Sequence, residues 1–250
     1  MVLFTHPGDF QNTARRAFHH HSRLISHTQE REFLTRVKDS HPSPIHGAVM
    51  HASAIKTCQT SCPRAVFTAE LSAKLEATVA ASGWPDFLLK RYAASRRHHH
   101  FRIAAASCAN GCAQPHIADF GLIATARLSV HPEKCTACGQ CLSACAENAL
   151  KLDQGIRLDT ARCLGCAACV RVCPVSALEM SEQGYRVLLG GKLGRHPRLA
   201  HELGFFSEKD ALRILSATLA VLMDRYRADQ RLGDLIRDMG QENFDRLVRP

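Results

Sequence analysis

Two stretches of the chain place apolar residues at helical spacing. In the first, Leu71, Leu75 and Val79 recur at four-residue steps. Such a stripe is typical of the buried face of a helix. Gly83 and Pro85 follow, and residues of these two types commonly end a helix. The pattern therefore predicts a helix that stops at Gly83.

The second stretch begins at Ser207, which together with Asp210 resembles a helix-capping pair. Apolar residues then alternate between three- and four-residue steps, at Leu212, Leu215, Leu219, Leu222 and Tyr226. Because the stripe is short, we expect it to pack in the core and not to form an oligomer seam. A last helix is predicted around Leu232–Met239, ending at Gly240.

Short apolar runs predict strands on both sides of a cysteine-rich segment. Phe101–Ala106 and Phe120–Ala126 precede that segment, and Tyr185–Leu189 follows it. Within the segment, Ala149–Leu152 and Ile156–Leu158 flank a turn that contains glycine. This arrangement predicts a β-hairpin.

The same pattern predicts how the chain divides into domains. Residues 1–54 are polar and poorly periodic, and prolines mark a break near their end. Residues 55–128 and 183–250 carry the helices and strands of one α+β domain. The module of residues 129–182 interrupts that domain.

The number of cysteines indicates either disulfide bonds or metal binding. There are twelve cysteines in 250 residues. A disulfide framework is typical of small secreted chains, yet the sequence starts with neither the basic residues nor the apolar stretch of a secretory leader. The longest charge-free apolar helical stretch, Ile214–Met223, is too short to span a bilayer. We therefore expect a cytoplasmic protein without a membrane span, in which clustered thiols hold metal.

The formal net charge of +9 would ordinarily favour a nucleic-acid partner. Metal clusters change that sum, because a 4Fe–4S core held by four thiolates carries roughly −2 and three of them cancel about six positive charges. Aromatic residues make up only 6% of the chain, and it carries no nucleic-acid recognition motif. We therefore expect no nucleic-acid partner. The histidine runs 19–21 and 98–100 are interpreted as solvated segments.

Eight cysteines follow the spacing of a bacterial two-cluster ferredoxin. The pattern C-x2-C-x2-C-x3-C occurs once and is repeated 28 residues later, at Cys135, Cys138, Cys141 and Cys145 and at Cys163, Cys166, Cys169 and Cys173. In such pairs the fourth cysteine of each run ligates the other cluster. We therefore assign Cys173 to the cluster of the first run and Cys145 to that of the second. Pro174 follows the second run as usual, whereas Ala146 replaces the first proline.

Structural zinc is the alternative for paired C-x2-C motifs. Zinc sites need four ligands in two pairs, whereas each run here has four cysteines at the ferredoxin spacing. The sequence therefore favours two 4Fe–4S clusters.

The remaining four cysteines form two further pairs, Cys58 with Cys62 and Cys108 with Cys112. They are either free buried cysteines, which behave as small hydrophobic residues, or the four thiolates of a third cluster. Two pairs of equal spacing favour the cluster.

The surroundings of these pairs resemble the siroheme-dependent nitrite and sulfite reductases, of the dissimilatory and anaerobic sulfite reductase type. Residues 107–121 (SCANGCAQPHIADFG) resemble that family's signature, and residues 58–63 (CQTSCP) resemble its other cysteine motif. Residues 184–197 (GYRVLLGGKLGRHP) are similar to its strand and glycine turn beside the cofactor. A two-cluster ferredoxin inserted between these motifs is an arrangement known in that family. The resemblance covers roughly residues 55–250.

The resemblance implies a third 4Fe–4S cluster on the four cysteines, bridged by Cys112 to the iron of siroheme. Siroheme carries many carboxylates, so basic residues beside the motifs are candidate contacts. The candidates are Arg64, Lys192 and Arg195, together with Arg91, Arg96, Arg97, Arg102 and Arg198. For each one a solvated surface charge is the alternative.

Two departures from the family pattern stand out. The first pair is C-x3-C, where the family usually has C-x5-C, and only 57 residues precede Cys58. Residues 1–54 therefore correspond at most to a partial ferredoxin-like half of the pocket, and no substrate-binding residue can be assigned. A partner subunit would then complete the pocket, or the haem has been lost.

The function expected is a sulfite or nitrite reductase, or the catalytic-type subunit of one, with an electron-donor protein or reductase subunit as its partner in a hetero- or homo-oligomer. The alternative is a non-catalytic iron–sulfur electron-transfer subunit without siroheme. A non-functional relative is the third interpretation.

Overall fold

The computed structural model describes residues 53–58, 62–67, 70–92, 99–228 and 230–250. Within these ranges five strands form a mixed sheet in the order β1-β2-β3-β6-β7. The strands of this sheet are β1 (Ser53–Thr57), β2 (Phe101–Ala106), β3 (Phe120–Val130), β6 (Leu178–Leu189) and β7 (His201–Phe206). The first three run parallel, whereas β6 pairs antiparallel with both β3 and β7.

Helices cover one face of this sheet. The covering helices are α1 (Leu71–Ala81), α2 (Trp84–Arg91), α5 (Glu208–Asp224), α6 (Leu232–Met239) and α7 (Gln241–Val248). Two short helices, α3 (Gln140–Ala144) and α4 (Ala168–Arg171), lie between β3 and β6. Alternate strand residues such as Ile103, Leu122 and Val187 pack in one buried cluster with Leu75 of α1 and Leu219 of α5. The apolar stripe of α5 therefore lies in the core, as its spacing predicts.

Loops cover the opposite face. Ala106, Ile123 and Leu188 point to that side and pack with Ala113, which follows the Cys108 pair, and with Ala200, which precedes β7. The cysteine loop after β2 therefore lies against the sheet at the end where the parallel strands finish.

Residues 131–177 lie between β3 and β6, whose long antiparallel ladder ends with Val130 opposite Leu178. They contain the short helices α3 and α4 and a hairpin of β4 (Leu150–Asp153) and β5 (Gly155–Leu158). Leu150 and Ile156 of this hairpin pack with Leu178 and Cys169 in a small buried cluster of their own.

The sequence pattern predicted most of these elements but missed several. The predicted strand Phe101–Ala106 is confirmed, and the other two predicted strands are longer than expected. Pro85 does not end the helical region, because it lies in the first turn of a second helix, α2. The helix at Leu232–Met239 is not the last one, because α7 follows Gly240 directly. Strands β1 and β7 had no counterpart in the prediction.

Nothing in the described part of the chain is both long and apolar enough to be a membrane-crossing helix. The N-terminal segment of residues 1–54 falls outside the described residues except for its last two, which belong to β1. The first histidine run, Arg96 and Arg97 also lie outside the described residues.

Candidate functional site

Four cysteines from both runs line one small cavity: Cys135, Cys138, Cys141 and Cys173. We call them the outer group. Its walls also include Leu152 and Ile156 of the hairpin and Leu178 of β6. Burial raises the pKa of Cys141, and the neighbouring thiols Cys135 and Cys138 raise it further. A set of four thiols around one apolar space fits a 4Fe–4S cluster.

The other four cysteines of the two runs, Cys145, Cys163, Cys166 and Cys169, line a second cavity of about 480 Å³. We call them the inner group. Burial raises the pKa of Cys169 to about 11, and the charges of Cys163, Cys166 and Cys145 act in the same direction. The four thiolates repel one another, and a cationic iron core bound between them would relieve that repulsion. Among the described residues, no three His, Cys, Asp or Glu side chains are grouped to hold a single metal ion.

The backbone repeats its shape along with the cysteines. Positive φ angles recur at three pairs of positions 28 residues apart: Ala137 (57°) and Gly165 (64°), Gly139 (75°) and Ala167 (56°), and Asn148 (50°) and Ser176 (51°). Such turns direct backbone N–H groups into a concave site.

Several of these N–H groups donate to sulfur. The backbone N–H of Ala149 lies 3.3 Å from Cys145 Sγ, and that of Ala177 lies 3.2 Å from Cys173 Sγ, at equivalent places in the two repeats. Although partial burial opposes it, donation from the backbone lowers the pKa of Cys173. Backbone donors of this kind stabilise thiolates that ligate iron.

The inner group is anchored to the main sheet. Thr125 Oγ1 of β3 donates to the carbonyl oxygen of Leu164 at 2.9 Å, and the N–H of Ala126 donates to the carbonyl oxygen of Gly165 at 2.9 Å. A Cβ at position 165 would overlap Thr125 Oγ1 and the Ala126 carbonyl oxygen. Glycine is therefore required at 165 by this close approach.

The two remaining cysteine pairs meet where β1 and β2 end. Because these strands are parallel and in register, Cys58 follows β1 beside the loop that leaves β2. The N–H of Ser107 donates to Cys58 Sγ at 3.4 Å. The N–H of Val66 donates to the carbonyl oxygen of Ser107 at 2.8 Å, which holds the segment after Cys62 against the same loop.

Within that loop the two cysteines differ in exposure. Cys108 is buried, whereas Cys112 is exposed. Asn110 Nδ2 donates to Cys112 Sγ at 3.0 Å, and Gly111 between them has a φ of +64°. An exposed, hydrogen-bonded thiol at the end of a cysteine loop could contact a group outside the loop.

The cavity of the inner group also reaches this loop. Its lining includes Cys108, Ala109 and Asn110, and the side chain of Arg64. The inner group therefore faces the Cys108 loop, whereas the outer group lies against the hairpin.

The candidate basic residues fall into different environments. Arg64 and Arg195 are exposed, and neither pairs with a carboxylate within the described ranges. Lys192 is only 18% exposed, and its Nζ lies 3.0 Å from Asp234 Oδ1. Arg198 pairs with the same carboxylate, at 3.2 Å.

Two other candidates have structural partners. The Arg91 guanidinium lies over the ring of Phe87, 4.3 Å from its centroid. The backbone N–H of Arg102 donates to Asp119 Oδ2 at 2.9 Å.

Sequence reasoning missed Asp119, whose side chain is only 2% exposed and pairs with Arg231. Burial raises the pKa of Asp119, and Arg231 opposes that rise. The one available signal was a lone carboxylate in the apolar run between Ile117 and Ile123. The sequence contained no signal that Asp234 would pair with Lys192 and Arg198.

Comparison with known proteins identifies similar chains. The family model described as nitrite and sulphite reductase 4Fe-4S domain matches residues 51–250. Coenzyme F420-dependent sulfite reductase of Methanocaldococcus jannaschii is 33% identical over 153 residues, which cover 58% of this chain and 24% of that protein. A subunit of the anaerobic sulfite reductase of Salmonella typhimurium is 34% identical over 102 residues, covering 39% of this chain and 30% of that protein.

The chain thus matches 24% and 30% of the length of these two relatives. Among solved structures, dissimilatory sulfite reductase I superposes on 78% of this chain and 51% of its own, with a TM-score of 0.51 and 16% identity. At that identity the likeness concerns the fold. The resemblance inferred from the motifs is confirmed.

Proposed function

Since the chain belongs to the nitrite and sulphite reductase 4Fe-4S domain family, we propose that it is the iron–sulfur part of a sulfite or nitrite reductase. The outer and inner groups would each hold a 4Fe–4S cluster, and Cys58, Cys62, Cys108 and Cys112 would hold a third. Bound clusters would supply one-electron transfer. The two relatives are both named for sulfite reduction, which favours sulfite over nitrite.

The observation that carries this proposal is the cavity shared by the inner group and the Cys108 loop. Cys108 and the inner thiols border the same 480 Å³ space, so clusters on the two sites would be neighbours. A redox chain needs such neighbouring centres, and free buried cysteines do not. This adjacency, together with the backbone donors to sulfur, also supports residues 129–182 as an inserted two-cluster ferredoxin module.

Siroheme is the second cofactor of the proposal, with Cys112 as the thiolate shared between its iron and the third cluster. Bound siroheme supplies the iron that holds the substrate anion and accepts electrons from the cluster. The chain's own residues provide the thiolate, whose orientation Asn110 fixes by its hydrogen bond. Arg64 and Arg195, both exposed, would contact the carboxylates of the cofactor.

The partner we propose is a protein electron donor or reductase subunit in a reducing cytoplasm. A non-catalytic carrier without siroheme is the competing function. The family match and the sulfite reductases among the relatives do not favour it.

Absorption spectra of anaerobically purified protein test the proposal. Siroheme adds Soret and red bands that clusters alone do not produce. Three clusters require about twelve cluster irons per chain, against about eight for the ferredoxin pair alone. Spectra without the haem bands after full reconstitution would leave only the carrier function.

The Cys112→Ser variant tests the bridge. It should lose the coupling between haem and cluster while it keeps the clusters of the outer and inner groups, whose cysteines are unchanged. A variant with the spectrum and activity of the wild type would show that Cys112 is not the bridging ligand.

A further inference from the structure

A basic hairpin lies between β6 and β7. We call residues 190–200 the basic hairpin; its two sides are joined by reciprocal backbone hydrogen bonds of 2.9 Å between Lys192 and Arg198. Its tip, residues 193–197, is exposed and carries Arg195. Ala200 at its end donates to the carbonyl oxygen of His116 at 2.7 Å, so the hairpin lies beside the turn that follows Cys112.

Helix α6 holds the base of this hairpin through one carboxylate. Lys192 Nζ lies 3.0 Å from Asp234 Oδ1 and 3.1 Å from Asp234 Oδ2. The same side chain accepts from Arg198 Nη2 at 3.2 Å and from Arg237 Nη1 at 3.3 Å. It is 17% exposed, so these pairs are partly shielded from water.

The two backbones approach closely at the same point. Arg198 Nη1 also donates to the carbonyl oxygen of Gly233. A Cβ on Gly233 would overlap the carbonyl oxygen of Gly190, and a Cβ on Gly190 would lie 2.9 Å from Gly233 Cα. Paired glycines thus allow α6 to contact the hairpin directly, and Asp234 is the next residue along the helix.

We propose that Asp234 is a positioning residue that withdraws Lys192 and Arg198 from ligand contact and leaves Arg195 as the hairpin's anion-binding arginine. This inference rests on the proposed function for its ligand, a carboxylate of siroheme. The sequence does not distinguish Lys192, Arg195 and Arg198. In this proposal Lys192 and Arg198 fix the hairpin, and Arg195 contacts the ligand.

The electrostatics agree with this division. Despite partial burial, which opposes ionisation, donation from Lys192 and the charge of Arg198 lower the pKa of Asp234. The carboxylate is therefore charged whenever the protein is near neutral pH. Three cations face it from the hairpin and from its own helix: Lys192, Arg198 and Arg237. Arg195 pairs with no carboxylate in the part of the chain that the structure describes, so its donors suit a carboxylate that arrives from outside.

Trypsin cleavage of the holoprotein tests the positioning role without reference to activity. In the wild type, cleavage after Arg195 should precede cleavage after Lys192 and Arg198. The Asp234→Asn variant should be cleaved after Lys192 and Arg198 faster, on the order of tenfold, because the base of the hairpin opens more often. Asp238→Asn, on the same helix and paired with Arg237, is the matched control and should match the wild type. Equal rates in Asp234→Asn and wild type would overturn the proposal.

Siroheme content per chain tests the division of the cations. Arg195→Gln should lower it severalfold while cleavage after Arg198 stays at the wild-type rate. Lys192→Gln should lower the siroheme content only if it also makes cleavage after Arg198 faster. Loss of siroheme in Lys192→Gln at an unchanged cleavage rate would make Lys192 a direct contact and refute the assignment.

The role of Asp234 and the role of Arg195 can fail separately. If the wild type itself carries no siroheme after reconstitution, the proposed function and the role of Arg195 fail together. The cleavage rates of Asp234→Asn still decide whether this carboxylate holds the hairpin.

Discussion

At the residue scale, the backbone around the thiols shows which glycines are replaceable. Alanine occupies the positive-φ positions 137 and 167, which correspond to Gly165 and Gly139 of the other repeat, so a methyl group is tolerated once at each of the two turn positions. A methyl group added at Gly139 would meet no described atom within 4 Å, whereas one at Gly165 would overlap Thr125 and Ala126. The difference arises from contact with β3 and not from the turn itself.

We expect Gly165→Ala to be far more damaging than Gly139→Ala. The latter should cost about 1 kcal/mol, the usual penalty for a side chain at positive φ. The former adds an overlap with β3 and should release the inner group, with a loss of about four irons. Thermal unfolding and iron content measure both effects. Equal losses in the two variants would contradict a role for the contact with β3.

Asp119 links three elements of the fold through one buried carboxylate. Its carboxylate joins the start of β3 to Arg231 at the N-terminus of α6, and to the backbone of β2. Removing one partner of a buried ion pair leaves an uncompensated charge.

Asp119→Asn should therefore lower the free energy of unfolding by about 3–5 kcal/mol. Glu182→Gln breaks an exposed pair with Arg127 and should cost less than about 1 kcal/mol. Chemical denaturation of the two variants gives the comparison. A loss at Asp119 as small as that at Glu182 would mean that the buried pair contributes little.

At the element scale, the predicted strands were correct where they are buried and too short where they leave the core. Phe120–Ala126 is buried throughout, whereas Arg127 is exposed and a β-bulge follows it. Where strand pairing continues through exposed residues of mixed polarity, the sequence shows no alternation of apolar residues that would predict it. Strand β7 was not predicted because it is short and contains Gly204, which has a φ of +139°. Strand β1 was not predicted because only Ser53 and Ile55 are partly buried and its other residues are exposed.

The β3–β6 ladder should close without the module that it carries. The N–H of His131 lies 2.8 Å from the carbonyl oxygen of Ala177, so the two strands are still paired at the point of insertion. Replacing residues 131–177 by Asn-Gly should give a hairpin and a folded protein that lacks eight cysteines. Circular dichroism and a fall in iron from about twelve to about four would confirm this. Loss of the sheet would show that the module belongs to the main core.

The N-terminal end of α5 is the element boundary that the sequence predicted best. Ser207 Oγ accepts from the N–H of Asp210 at 3.1 Å. Ser207→Ala should lower the free energy of unfolding by about 1 kcal/mol. Ser216→Ala, at an exposed mid-helix position, should leave it unchanged or raise it slightly, since alanine has the highest helix propensity. Thermal denaturation distinguishes the two.

At the scale of the whole molecule, the grouping of the eight cysteines around two cavities could be predicted from the sequence, and the placement of those cavities could not. Cysteine spacing is local, so it defines the two runs and the crossing of Cys145 and Cys173. Which group faces the Cys108 loop depends on Thr125 and Gly165, residues about forty positions apart whose contact no local pattern encodes. The pairing of Lys192 with Asp234 escaped prediction for the same reason.

The two groups should differ in how easily they lose iron. Cys138 of the outer group is exposed, whereas Cys169 of the inner group is 6% exposed. During slow treatment with a chelator and a mild oxidant, cysteines of the outer group should become alkylated first. Mass spectrometry of the alkylated peptides gives the order. Simultaneous alkylation of both groups would contradict unequal protection.

β3 is one continuous strand that begins beside the Cys108 loop and ends at the module, and Thr125 and Ala126 bind the module along the way. A tethered carrier would swing between donor and acceptor and would slow down in glycerol. Because the module is held at both strands and along one edge, we expect the rate of electron transfer within the proposed redox chain to be independent of solvent viscosity. In the proposed chain, electrons would pass between fixed centres and not by movement of the module.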